Sequence, residues 1–196
     1  MSTATPVQLE PPGAGLPAGE LFISRLLFGG YRLITSRERA LQHFQTSTAR
    51  IRQLAESLAP ADAARPVLID RVRGIEDSSR NWSVYMALEH LVIVDGLITA
   101  TLKMLTDGRT PDRKVSTAAV KPPPVTDPAV IQRFTETTDR YGRILPGLPS
   151  LRTAVRLDHP WFGPLDAHGW HCMAAIHHEI HLQQIRRIIA GLRAVD

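Results

Sequence analysis

Cysteine is nearly missing from this chain: Cys172 stands alone among 196 residues. No intrachain disulfide can form, so nothing favours an oxidising compartment. The N-terminal stretch has no basic start followed by an apolar run, the form a secretory signal takes. The most apolar long stretch, residues 86–105, still contains Glu89, His90, Asp95 and Lys103, which suits a buried helix better than a membrane span. These absences lead to the expectation of a cytoplasmic protein that does not enter a membrane. Nor are charges of one sign massed anywhere. Lys and Arg number 23 against 19 Asp and Glu, a net +4, and arginines such as Arg37, Arg39, Arg50, Arg52, Arg71 and Arg73 are scattered. Solvated helix faces account for them, and a nucleic-acid partner is not expected.

Several reaction motifs are also missing. A zinc-protease His-Glu-x-x-His fails, because His178-Glu179-Ile180-His181 has one residue where two are needed. No Glu is followed three positions later by His, which excludes the ligand pairs of ferritin-like di-iron bundles. There is no Gly-x-Ser-x-Gly nucleophile turn, and Gly29-Gly30 has neither the spacing nor the lysine of a phosphate loop. Cys172 lies on a different helix face from the histidines below it and reads as a small packed residue, not a nucleophile.

What is present is helical periodicity. Residues 1–19 carry Pro6, Pro11, Pro12 and Pro17 and are expected to form a mobile tail, with the domain at 20–196. A first helical segment runs from Glu20 to about Leu33, weakened by Gly29-Gly30. Thr35 and Glu38 have capping-box spacing, so a helix begins near Ser36 and runs to about Leu58, either separately or as the continuation of one kinked helix. After a connection over 59–80, a second long helix covers about Trp82 to Leu105 and turns His90 inward. A crossing over 106–127 follows, with Pro122-Pro123-Pro124 extended. Thr126-Asp127-Pro128 starts a third helix that ends near Leu145. After the turn segment 157–165, Asp166 caps a last helix reaching about Arg193. No stretch alternates like a strand. The expectation is an all-α four-helix bundle whose long crossover between the second and third helices allows an up-down-down-up order.

Of eight histidines, six (His159, His168, His171, His177, His178, His181) lie between 159 and 181. His177 and His181 are four apart and share a helix face, with Gln184 on the same edge. Buried imidazoles need partners, so they are either satisfied core groups or metal ligands. A catalytic site of the zinc type wants three protein ligands and an open position. His90 is the candidate third ligand; His43 is a less suitable one. His178, three residues before His181, could take the place of His177. Imidazole ligation suits zinc, nickel, iron or copper. Glu89, Asp95 and Glu179 are possible partners for ligand N–H groups, and Trp161 with Phe162 could border a pocket.

The sequence Asn-Trp-Ser-Val-Tyr-Met-Ala-Leu-Glu-His-Leu at 81–91 resembles the opening of the second helix in the DinB-like superfamily. His-Pro-Trp-Phe-Gly-Pro-Leu at 159–165, followed by His177-x-x-x-His181-x-x-Gln184, is similar to that superfamily's final turn and helix. The resemblance implies a divalent metal, zinc or nickel, held by His90, His177 and His181. It also implies a metal-dependent enzyme of the thiol S-transferase or isomerase type, using a low-molecular-weight thiol on a small-molecule substrate. Dimers are common in the superfamily, so a homodimer is expected. A non-catalytic metal-binding stress-response bundle is the alternative.

Overall fold

The computed structural model describes residues 7–111, 115–124 and 127–194. Four long helices build the body. They are α2 (Arg37–Glu56), α4 (Val84–Thr106), α5 (Ala129–Ile144) and α6 (Ala167–Arg193). An additional helix, α1 (Ala18–Ile34), precedes them, and a one-turn helix, α3 (Pro60–Ala64), follows α2. Three short 3-10 turns (Asp77–Ser79, Ala118–Val120 and Leu145–Gly147) and two small antiparallel strand pairs complete the described elements: β1 (Val67–Leu68) with β2 (Asn81–Trp82), and the hairpin of β3 (Leu157–His159) with β4 (Gly163–Leu165). In the hairpin His159 pairs with Gly163 and Leu157 with Leu165. Neither pair is legible as alternation, because the strands are too short to show a period.

The helix boundaries follow the capping chemistry. Thr35 and Ser36 are both extended, so α1 and α2 are separate helices. The cap is Ser36, whose hydroxyl accepts from the Arg39 N–H at 3.2 Å, one residue later than the Thr35–Glu38 spacing suggests. Ser83 caps α4 by accepting from the Met86 N–H, and Asp166 caps α6 by accepting from the Gly169 N–H at 2.8 Å. At the start of α5, Asp127 accepts from the Ala129 N–H; Thr126, the first residue of the expected Thr126-Asp127-Pro128 start, lies outside the described residues. Gly29 and Gly30 do not break α1, which runs through them.

The helices form a ring in which α6 packs on α2 and α4, while α5 packs on α4 and, less closely, on α2. Across α2 and α6, Arg37 meets His171 and Thr48 meets His178. Across α4 and α6, His90 meets His177 while Asp95 meets His178. Across α5, Phe134 stacks on His178, and Tyr141 meets both His171 and Phe44. Among the described residues, only α4 is long and apolar enough to cross a membrane, and half of its apolar window is buried against the other helices.

The N-terminal proline-rich segment, expected as a mobile tail, is tied to the body over its described part. The Glu10 and Gly13 N–H groups donate to the carboxylates of Asp77 and Glu76, and Leu16 is buried. Glu76, itself buried, also accepts from the Thr117 hydroxyl, so one carboxylate joins the N-terminal segment, the connection and the crossing. Gly74, at φ +89°, lets the connection pass over α6; a Cβ there would meet Ile180 Cδ1 at 2.7 Å.

The apolar core is divided at mid-height. One cluster gathers Ile51, Leu88, Leu91, Phe134, Leu182 and Ile185; the other gathers Phe44, Ile98, Leu102, Tyr141, Trp170 and Met173. Between them lie Ser47 and Thr48 on α2, Asp95 on α4, Thr138 on α5 and His178 on α6. His178 Nε2 donates to both Asp95 oxygens at 2.9 and 3.1 Å, both residues are wholly buried, and Thr48 Oγ1 closes the other ring nitrogen at 2.9 Å. Phe44 and Phe134 pack against the same imidazole.

Deleting one member of a buried pair leaves the other charged or polar and unpaired. His178→Ala is therefore expected to lose about 3–5 kcal/mol of folding stability, measured by urea denaturation. A loss below about 1 kcal/mol would contradict this structural role for His178.

Candidate metal centre

Trp82 and Ser83 set the start of α4 so that His90 lies two turns in, on the side facing α6. Asp166 sets the start of α6, and the intact helix carries His177 and His181 to the same level. The Nε2 of His177 lies 3.1 Å from the Nε2 of His90 and 3.1 Å from the Nε2 of His181. Trp82 backs the group, lying parallel to the His181 ring and tilted against His90.

Two of the three rings have their tautomers fixed from behind. His90 Nδ1 is 2.8 Å from the Val120 carbonyl oxygen, which can only accept, so Nδ1 carries the proton. His181 Nδ1 is 2.6 Å from Gln184 Oε1, and the Gln184 amide nitrogen donates to the Ser79 carbonyl, which orients that amide. His181 Nδ1 therefore also carries its proton. Both Nε2 atoms then present lone pairs toward His177 Nε2. A single His177 N–H placed there could be donated well to only one of them; His177 Nδ1 is buried with no partner among the described residues whichever ring nitrogen carries the proton.

Protonation does not relieve it. Burial, against the Val120 hydrogen bond, holds His90 down to about 4 from the usual 6.5. Burial, then the neighbouring imidazoles, keeps His177 and His181 well below 6.5. Three converging Nε2 atoms on neutral imidazoles, two of them fixed as lone pairs, match the donor set of a three-histidine metal site. Nitrogens 2.0–2.1 Å from a tetrahedral ion stand roughly 3.3 Å apart, close to the observed spacing. Among the described residues, His90, His177 and His181 form a group whose ligand atoms could share one ion.

The other candidate residues are elsewhere. His178 belongs to the Asp95 pair and does not replace His177. His43 sits near the surface, 3.0 Å from Tyr31 Oη and 3.9 Å from a Glu179 oxygen. Glu89 pairs with Arg133, and Glu179 accepts from Ser47 and Gln183. Asp95 does hold an imidazole, but that of His178 and not of His90, His177 or His181. His171 is fixed between the Tyr141 hydroxyl and the Arg37 carbonyl. Cys172 is buried beside His168, and its thiol is pushed up to about 12 by burial, which removes it as a nucleophile.

The residues that orient the rings escape sequence reading. Val120 lies in the crossing and acts through its backbone, so no side-chain signal marks it. Gln184 is visible only as an edge position. The crossing is held in place by Thr117 on Glu76 and by Lys121, which donates to the Ser78 carbonyl. The triad opens onto a cavity of about 960 Å³ enclosed by α1, α4, α6, the crossing and the β3–β4 hairpin. Trp161 and Phe162 line it, as their position before the last helix suggests.

No known family profile matches the chain, and no curated protein matches it. Its fold is similar to the crystal structure of TT2238, described as a four-helix bundle protein, at 18% identity and a TM-score of 0.56. That likeness covers 77% of this chain and 98% of the other. It shows the four-helix-bundle fold and says nothing of chemistry.

His90, His159 and His171 are each held down to about 4 by burial and return to about 6.5 when the chain unfolds. The unfolded chain therefore binds more protons between these values, and folding stability is lost as pH falls. Urea unfolding in the presence of a chelator should show stability level above about pH 7 and declining from about 6.5 toward 4. A profile that stays flat over that range would contradict the neutral, buried histidines.

Proposed function

We propose that this chain is a DinB-like bundle that binds one divalent metal, zinc or nickel, through His90, His177 and His181. We further infer a metal-dependent enzyme of the thiol S-transferase or isomerase type. The observation that carries the metal reading is the meeting of three Nε2 atoms, two of them with tautomers fixed by Val120 and Gln184. The up-down-down-up order is supported by the contact pairs. Residue numbers rise together along α2 and α6 and run oppositely between α5 and α2; between α4 and α6, Leu88 and Leu91 cluster with Leu182 and Ile185, while Ile98 and Leu102 cluster with Trp170 and Met173.

A metal held there would act as a Lewis acid that lowers the pKa of a thiol or water beside it. The three imidazoles hold their protons on the side away from the site and do not exchange them. Val120 and Gln184 fix the ring planes. The cavity walls exclude water and hold a small-molecule substrate beside a low-molecular-weight thiol. A large cavity at the triad favours this reading over a non-catalytic metal-binding stress-response bundle, in which the metal would only stabilise the fold. The reading places the protein in the cytoplasm, with no nucleic-acid or membrane partner. A homodimer is supported by the uncovered apolar side chains of α1, where Phe22, Leu26, Leu33 and Ile34 are 62–78% exposed; sedimentation at the monomer mass would remove it.

Metal analysis should give one ion per chain in the wild type and little in His90→Ala or His181→Ala, with affinity about 10–100-fold weaker in Gln184→Ala. Undiminished metal in the two histidine variants would overturn the site. The enzymatic reading is checked with metal-loaded protein, a chlorinated aromatic electrophile and a panel of thiols. Absence of turnover with every thiol, metal remaining bound, would leave a metal-binding bundle.

A further inference from the structure

The cavity beside the triad has walls made mostly of carbon, including Ile23, Leu27, Phe28, Leu97, Ile98 and Met173. Ile23 and Leu27 are 57% and 70% exposed, so the wall supplied by α1 is apolar surface that none of the described residues covers. Most polar groups on this wall are already engaged. Glu20 pairs with Arg71 and accepts from the Gly74 N–H; Glu76 is saturated by Gly13, Ser78 and Thr117; Tyr31 meets His43; Lys121 donates to Ser78. Thr101 also faces the cavity, but a helical threonine has its own i−4 carbonyl within reach.

His159 is different. It ends β3, and its Nδ1 accepts from the Trp161 N–H at 3.1 Å, closing the turn to β4. A neutral imidazole that accepts at Nδ1 carries its proton on Nε2. That Nε2 has no partner among the described residues and is not enclosed in packed protein, while the ring lines the cavity. The ring is held in place by Phe162, Trp170 and Trp161, with centroids at 5.0, 5.3 and 6.1 Å. A hairpin position offers it no helical carbonyl to fall back on. The wall is therefore largely apolar, with Arg73, Ser24 and Ser116 also on it, and His159 adds a rigidly held donor beside the aromatic rings of the hairpin.

We propose that the cavity takes a largely apolar molecule bearing one hydrogen-bond acceptor, such as an aryl ketone, and that His159 Nε2–H donates to that acceptor. This names the substrate class of the proposed enzyme and rests on reading the cavity as its substrate site. Carbon lining selects the body of the molecule by burial, and the rigid His159 donor orients it relative to the neighbouring triad.

The test uses two nearly isosteric probes, acetylnaphthalene and ethylnaphthalene substituted at the same ring position, with binding read by quenching of tryptophan fluorescence. No thiol and no turnover are involved, so the outcome is separate from that of the transferase assay. Both probes should bind wild-type protein. The ratio of their affinities should shift by roughly three- to tenfold against the ketone in His159→Phe, which keeps an aromatic ring but has no donor. His159→Asn, whose carbonyl can still accept from the Trp161 N–H, should shift it in the same direction. The shift should persist after chelation, which excludes a ketone–metal contact as its source. In wild-type protein, histidine-ring NMR should show the His159 Nε2 signal moving with the ketone and not with the hydrocarbon; this readout does not depend on either variant folding. Failure of both probes to bind, an unchanged ratio in the variants, or a His159 signal indifferent to the ketone would each overturn the proposal.

Discussion

Three imidazole nitrogens that all point at one another are a repulsive arrangement unless something positive sits among them. In this bundle the repulsion is built in from behind. The Val120 carbonyl takes the His90 proton, and Gln184, itself oriented by the Ser79 carbonyl, takes that of His181. Neither ring can turn its donor inward without breaking a buried hydrogen bond, which would cost about 1–3 kcal/mol. Val120 supplies its carbonyl from the crossing and Ser79 from the connection before α4. The chain spends a buried carboxylate, Glu76, on holding them in place. The crossing between α4 and α5 is thus part of the centre and not only a connection.

The rest of the polar machinery gives the triad its level in the bundle. Asp95 and His178 sit between the two apolar clusters and meet Thr48 across the interior. Such a pair gains little net stability compared with apolar side chains of the same volume. A shift of α6 by one turn would break it, however, so the pair resists changes of register between α4 and α6. That register is what brings His177 and His181 opposite His90. Structural and candidate chemical histidines are adjacent in sequence but lie on different faces of the same helix.

Much of this was legible in the sequence because helical periodicity and capping are local. The four long helices, the caps at Asp166 and near Ser36, and the inward face of His90 all follow from spacing. The three residues that meet are those the spacing and the resemblance single out. Long-range partners were not legible. Nothing local marks Val120, whose role is that of a backbone carbonyl, or Glu76, which reads as an ordinary charged residue. His178 was ambiguous because a helix places it within reach of either neighbour, and only the position of Asp95 on α4 decides. The proline-rich segment before α1 carries no periodic signal, yet its N–H groups find the carboxylates of Asp77 and Glu76. The hairpin that carries His159 is too short for alternation, although it shapes the cavity.

The most direct measurement is X-ray absorption at the metal edge of the zinc-loaded protein. The first shell should contain three imidazole nitrogens at about 2.0–2.1 Å with one oxygen ligand such as water, and no sulfur. A shell with a sulfur scatterer, or with fewer than three imidazoles, would contradict a centre built from His90, His177 and His181.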